Sequence, residues 1–450
     1  MTVIVSQKVF LWDTVVMSRT RRFFVILFLI GLLIRIAIIP AASGNDISSY
    51  AKWGHNTQTI GLASSFDGVY FPIQYLSFAA ASFLAEHLDV SFDVVIKSFN
   101  LIFECGLLYL LVALTRKYLI PWKTVLLYWL NPFAIIIFAQ GYIDAQFSFF
   151  VMLALWILVR CTDFRGYLYA SIPIGIALLM KPQALPLIFG IAIVIAILFF
   201  IKDKDWKGLF GLFAASFVLI SIFSIYFGFT LNINQHKTLT TISRQIQHIG
   251  TSPPINDFIA NSMFLAAHYI HVPSIMPAIN ANMPNPWYLV AESRREGVMP
   301  IYRVVDTAKF GGLSFRLWGL LLFLATISYL SYRIARSDRH TANKVALVLL
   351  LIPILVPYLT TSAHENHFYL GFVTLIILGA WLKEHSLIAV GYILGILNAL
   401  NLFYLYLAPR YWNITYSNAV GISIATTSSV IFLILLYCLF RTDYRSSKTS

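Results

Sequence analysis

Apolar runs of 18 or more residues recur along most of this chain. A run of that length with few charges can cross a bilayer as a helix, and in lipid only helices and closed barrels satisfy their own backbone. The runs are continuous rather than alternating, which excludes a β-barrel. Composition agrees: 59% of the 450 residues are hydrophobic and 11% are charged, whereas a soluble domain carries about 25% charged residues. The expectation is an all-α polytopic membrane protein of about twelve spans, at 23–42, 93–115, 122–138, 142–160, 167–181, 184–201, 208–229, 311–332, 344–361, 366–382, 386–405 and 419–440. The first span lacks a small-residue cleavage site and reads as a retained helix.

The net charge of +13 raises the question of nucleic acid. Most cations instead fall in short loops: Arg19, Arg21 and Arg22; Arg116, Lys117 and Lys123; Arg160 and Arg165; Lys202, Lys204 and Lys207; Arg333, Arg336, Arg339 and Lys344; Arg441, Arg445 and Lys448. That distribution marks cytoplasmic loops and contact with the lipid bilayer, with no nucleic acid implied. Cys105, Cys161 and Cys438 all fall in or near spans, and the long loop has none, so no disulfide framework is expected.

Placing the basic clusters inside makes 43–71 external and runs 93–115 inward. A single crossing at 72–89 would then invert every later loop. That stretch, begun by Phe71-Pro72, is expected to be a re-entrant or surface-lying helix; the other solution is an ordinary span with a different segment misplaced. A polar stretch at about 230–310 comes next on the external side, and its Phe258, Phe264, Trp287, Tyr288 and Tyr302 suggest a folded cap resting on the membrane. Asn413-Ile414-Thr415 forms a glycosylation sequon in an expected external loop.

On this topology the polar residues gather at the external face. Asp46 comes after the first span in Ser43-Gly44-Asn45-Asp46; it either caps the helix that starts near Ile47 or acts as a general base on an acceptor hydroxyl. Tyr50 and Trp53 share its helical face at i+4 and i+7. Asp144, after Gln140-Gly141-Tyr142-Ile143, caps the next helix or serves as one of the few acids at membrane depth. Lys181-Pro182-Gln183 offers a lone cation at headgroup level, either snorkelling or suited to a phosphate. His364-Glu365-Asn366-His367 has the wrong spacing for a zinc-helix motif and reads as phosphate or sugar contacts, or as plain helix termini. Arg35, inside the first span, either snorkels or holds a phosphate. Arg294, Arg295 and Arg303 read as a solvated charge run or as phosphate contacts. No Gly-rich phosphate loop and no soluble nucleotide domain is visible, which favours a lipid-anchored donor over a cytosolic nucleotide sugar.

With these residues placed, the chain resembles the GT-C superfamily of polyprenyl-phosphate-sugar-dependent glycosyltransferases, and most of all the bacterial mannosyltransferases related to the second GPI mannosyltransferase. The matching pieces run in order from about 20 to 375: Asp46-x3-Tyr50-x2-Trp53, Val69-Tyr70-Phe71-Pro72, Asn131-Pro132 with Gln140-x3-Asp144, and Lys181-Pro182-Gln183. They continue with Asn280-Ala281-Asn282-Met283-Pro284-Asn285-Pro286-Trp287 and His364-Glu365-Asn366-His367-Phe368-Tyr369. The family's Gly-Gln-x-Asp glycine is displaced here, its Pro-Pro pair is Phe71-Pro72, and its Arg after His-Glu is Asn366.

The resemblance implies a GT-C fold: a cytoplasmic N-terminus (1–22), an N-terminal transmembrane module (23–230) with external loop 43–90, a long external loop (231–310), C-terminal helices (311–440) and a cytoplasmic tail (441–450). It implies an inverting hexosyltransferase, mannose foremost. The donor is a polyprenyl-phosphate sugar, and the acceptor a lipid-linked, glycan or protein hydroxyl. Catalytic roles fall to Asp46 and Asp144, and substrate contacts to Arg35, Tyr50, Trp53, Gln140, Lys181, Gln183, Asn282, Trp287, His364, Glu365 and His367. No cofactor and no metal is implied. The active site is external or lumenal, in the plasma or inner membrane of a prokaryote or the endoplasmic reticulum of a eukaryote. A lipid-linked-sugar flippase or secondary transporter is the alternative; it would spread polar residues through the midplane in paired broken helices.

Overall fold

The computed structural model describes residues 19–44, 46–67, 69–117, 122–201, 206–230, 265, 277–296, 299–413 and 417–444. Most of the long loop, with Phe258 and Phe264, and Ile414 and Thr415 of the sequon lie outside the described residues.

The described chain is helical apart from one two-residue hairpin. That hairpin pairs Lys309–Phe310 with Leu313–Ser314 around Gly311 and Gly312, both at positive φ, as a two-residue turn demands. Every expected span holds helix. They are α1 (Arg19–Ile38), α5 (Phe92–Lys117), α6 and α7 (Trp122–Trp129 and Pro132–Ala139), α8 (Asp144–Arg160), α9 (Phe164–Leu178), α10 (Leu185–Phe200) and α11 (Gly211–Thr230). The C-terminal group is α13 (Phe315–Ala335), α14 (Thr341–Leu359), α15 (Phe368–Leu382), α16 (His385–Leu402) and α18 (Asn418–Arg441). The shorter α2 (Asp46–Ile60), α3 (Leu62–Ser65), α4 (Pro72–Leu88), α12 (Pro286–Ser293) and α17 (Ala408–Trp412) lie between them.

Seven of these segments, at 92–114, 182–200, 207–227, 315–335, 341–359, 385–412 and 418–441, are long and apolar enough to cross a membrane. The other five of the expected twelve differ for physical reasons. Helix α1 runs unbroken from Arg19 to Ile38 but carries Arg19, Arg21 and Arg22 at one end and Arg35 near the other. Asn131-Pro132 breaks the 122–138 run, because Pro132 removes a donor at the start of α7 while the Asn131 side chain caps it. Helices α8, α9 and α15 have 17, 15 and 15 residues, short of the roughly 20 that an untilted span needs.

Helix α14 is apolar all round and almost wholly buried, with α8, α10, α13 and α15 packed against it. Outer helices show one open apolar stripe instead: Ile26, Leu29, Ile30, Leu33 and Ile36 on α1, and Phe217, Val218, Ile222 and Ile225 on α11. Stripes of that size belong against lipid.

Main-chain bonds gather the loops at one end of the bundle. Gly44 N donates to Gln140 O (3.1 Å), and Ser43 N reaches Asp93 at the start of α5. Phe71 N and Ile73 N donate to Met180 O and Leu179 O, so α4 begins beside the end of α9. It ends at Asp89, in the left-handed region, and turns at once into α5. Lys97, one turn into α5, donates to Ala41 O beyond α1. Both ends of α4 therefore lie at the same end of the bundle, and α4 packs on α2 and α5 rather than crossing. The helix ends carrying Arg160, Arg333 and Arg441 lie at the opposite end, where Arg333 donates to Phe440 O and Arg339 to Tyr444 O.

Candidate active site

Asp46 opens α2, and the loop before it is pinned by two close approaches. A Cβ on Gly44 would stand 2.5 Å from Gln140 Oε1. Gly141 has φ +76°, and a Cβ there would stand 2.5 Å from Ile47 Cδ1. Only glycine lets the loop ahead of α2 lie this close to the α7–α8 turn. Gln140 is thus buried as part of the floor, through its carbonyl and side chain.

Asp46 is exposed to solvent, yet the protein packed around it partly desolvates its carboxyl. That desolvation pushes its carboxyl above the usual range, and the Glu365 carboxylate pushes in the same direction. His364 and Lys181 act oppositely, and Asp144 adds a smaller upward push. Asp46, Asp144, Lys181, His364 and Glu365, far apart in sequence, are therefore neighbours in one field.

Asp144 is fully engaged. Lys181 Nζ lies 2.8 Å from its Oδ1 and Asn366 Nδ2 donates to Oδ2 at 2.9 Å, all three side chains being buried. The pair ties the start of α8 to the α9–α10 junction and to the turn before α15. Lys181 also faces the Tyr70 ring at 5.8 Å. Tyr70 OH in turn bonds Tyr50 OH at 2.9 Å, and Tyr50 stacks on Phe78 at 4.7 Å. Burial raises both phenols above their ordinary range, so they stay protonated donors. Trp53 packs edge-on against Tyr70, with its Nε1 donating to Asp67 Oδ2 at 2.6 Å.

Glu365 is buried, and its Oε1 accepts two phenolic protons, from Tyr142 (2.8 Å) and Tyr406 (2.6 Å). His364 and His367 lie with ring centroids 4.9 Å apart. Burial, with the adjacent His364 and Lys181 charges, holds His367 well below the usual imidazole range, so it is neutral at pH 7. The His364 main chain bridges to Ala281 and Asn282, and Asn282 O accepts from Asn401. Asn282 has φ +67°, a left-handed conformation that asparagine tolerates better than most residues.

Two expected contacts, Arg35 and Trp287, lie apart from this cluster, and a third, Gln183, adjoins it next to Lys181. Arg35 is sealed in the bundle: it is ion-paired with Glu104, 3.8 Å from the Trp129 ring centroid, and bonded to Trp129 O. Glu104 also accepts from Tyr369 (3.1 Å), whose OH meets Tyr128 OH at 2.6 Å. That engagement corrects the expectation of a snorkelling or phosphate-binding arginine. Trp287 donates to Leu359 O and packs with Ile279, Tyr288 and Phe315, anchoring the loop rather than reaching Asp46. Gln183 is half-buried in a short 3-10 turn beside Lys181.

Sequence reasoning gives Tyr142 and Tyr406 no role and notes Asn366 only as a departure from the family's Arg, whereas its carboxamide serves Asp144. It also passes over Glu104, although an acid at the depth of Arg35 on a second helix signals a pair.

No family model and no curated protein matches the chain. Among solved structures it is similar to the archaeal oligosaccharyltransferase AglB of Archaeoglobus fulgidus, in complex with an inhibitory peptide and a dolichol-phosphate. That match has 12% identity and a TM-score of 0.40, over 94% of this chain and 56% of that one. The Archaeoglobus fulgidus oligosaccharyltransferase tethered to an acceptor peptide with the NVT sequon gives 14% identity and a TM-score of 0.40, over 94% and 55%. The chain thus spans about half the length of the structures it matches.

Proposed function

We propose that this protein is an integral-membrane inverting glycosyltransferase that moves a hexose, mannose foremost, from a polyprenyl-phosphate to an acceptor hydroxyl. The observation that carries the reading is the setting of Asp46: a solvent-open carboxylate, made more basic than usual, at the mouth of a polar recess in an apolar bundle. The convergence there of Tyr70, Gln140, Asp144, Lys181, Asn282 and His364-Glu365, from five separated stretches, supports it. The recess also lies at the end of the bundle opposite Arg160, Arg333 and Arg441, which favours the external or lumenal face.

In this reading Asp46 takes the proton of the acceptor hydroxyl. The acceptor oxygen attacks the anomeric carbon from the face opposite the phosphate, and its new bond forms as the bond from that carbon to the phosphate oxygen breaks. The electron pair leaves with polyprenyl phosphate, and the proton ends on Asp46. Positive charge for the leaving phosphate comes from Lys181, shared with Asp144, and the His364 side chain offers a further polar contact. Trp53 and Tyr70 offer apolar faces to a sugar ring.

The test uses the purified full-length protein in nanodiscs with polyprenyl-phosphate mannose, monitoring release of free polyprenyl phosphate. Asp46→Asn is expected to abolish release; an unchanged rate removes Asp46 from the reaction.

A further inference from the structure

We propose that Phe403–Trp412 is a bracket that fixes the spacing of the Asp46 and Glu365 loops, with Tyr406 and Arg410 as positioning residues for the transfer. The proposal rests on the glycosyltransferase reading above.

The two loops have no sequence connection shorter than most of the chain, yet one short segment grips both. Tyr406 OH donates to Glu365 Oε1 at 2.6 Å. One helical turn later, Arg410 Nη1 donates to Ser43 O at 2.9 Å and Ala42 O at 3.5 Å, the carbonyls just ahead of α2. Residues four apart lie on one helix face, so a single turn presents both groups in the same direction. The segment that carries Tyr406 is a π turn, Phe403–Leu407, between α16 and α17. A π turn adds a residue to the helical register and rotates the downstream helix by about 100°. Beyond it Tyr411 and Trp412 stand outward, 55% and 60% exposed, while Arg410 reaches across to the Asp46 loop.

The grip is reinforced from the other side. Tyr142 donates to the same Glu365 oxygen, and its neighbour Gly141 abuts Ile47, the residue after Asp46. Lys97 holds the same stretch of chain through Ala41 O at 2.5 Å. A general base functions only within hydrogen-bond reach of its proton, and a displacement of about 1 Å can cost about 100-fold in rate. On this reading, fixing one acid loop against the other is a catalytic requirement, beyond the ordinary tethering of a loop by a surface cation.

The test compares Tyr406→Phe, Arg410→Gln, the double variant and the conservative Arg410→Lys, all as the full chain in nanodiscs, with Asp46→Asn alongside. Amide hydrogen exchange is read at 41–50 and 362–368, together with release of polyprenyl phosphate from polyprenyl-phosphate mannose. Faster exchange in both segments at an unchanged melting temperature is expected, with kcat down about 10- to 100-fold, KM within about twofold, and partial recovery in Arg410→Lys. Unchanged exchange at 362–368 in Tyr406→Phe, or faster exchange at 41–50 with kcat preserved, overturns the bracket and leaves Arg410 as a loop tether only. If Asp46→Asn releases the lipid at the wild-type rate, the general-base reading fails, and exchange alone decides on the bracket.

Discussion

Lys181 and Asp144 face each other at 2.8 Å with both side chains sealed from solvent. A buried pair of this kind is held by mutual compensation: removing one partner strands the other charge in a poor solvent. Lys181→Met or Asp144→Leu alone is expected to destabilise by about 3–5 kcal/mol, and the double variant by much less than the sum. Thermal unfolding in one detergent, run as a double-mutant cycle, gives the coupling directly.

Arg35 and Glu104 make the same prediction in the bundle interior. Glu104→Leu alone strands Arg35 under Trp129 and is expected to cost about 3–5 kcal/mol, whereas Arg35→Met with Glu104→Leu recovers most of it. Transfer activity in the double variant should persist, because neither residue reaches the recess. Loss of transfer with the fold retained would place the pair in the reaction.

Transfer should rise with pH along a limb set by Asp46, centred above the ordinary aspartate value of about 3.9. Glu365 raises Asp46, so Glu365→Gln is expected to move that limb to lower pH. The pH dependence of kcat/KM checks both the position and the direction of the shift.

His367 predicts acid lability. Its folded pKa lies well below its unfolded value, so the unfolded chain binds the proton first. Its contribution to stability is complete above about pH 6.5 and is lost as pH falls from there through the folded pKa. His367→Asn should flatten this part of the stability curve, measured as melting temperature between pH 7.5 and 5.

Gly141 should tolerate no side chain. Gly141→Ala meets both the positive φ and Ile47 and is expected to cost at least about 1–2 kcal/mol. Because Ile47 adjoins Asp46, transfer should fall further than stability does.

The helices are legible in the sequence because an apolar run in lipid has one way to satisfy its backbone. A surface-lying or re-entrant course for 72–89 is what charge parity leads one to expect, and the bonds of Phe71 and Ile73 fix where α4 starts, beside the end of α9. Lys181 stands out as a lone cation, but nothing local announces that its partner is Asp144, which depends on how α8 and α9 pack. The role of Tyr406 is hidden more deeply, since it arises from a π turn that no apolar periodicity encodes. Arg35 misleads when one helix is weighed without the acid on another.

The placement of both ends of α4 at one end of the bundle has a consequence for the order of synthesis. Asp46 and its aromatic neighbours are made early, well before Lys181 at the end of α9. Glu365 and Tyr406 arrive later still, after a further series of helices. The surroundings of Asp46 are thus completed only once α17 has been made, with α18 still to follow, and a nascent protein carries Asp46 long before the side chains that flank it.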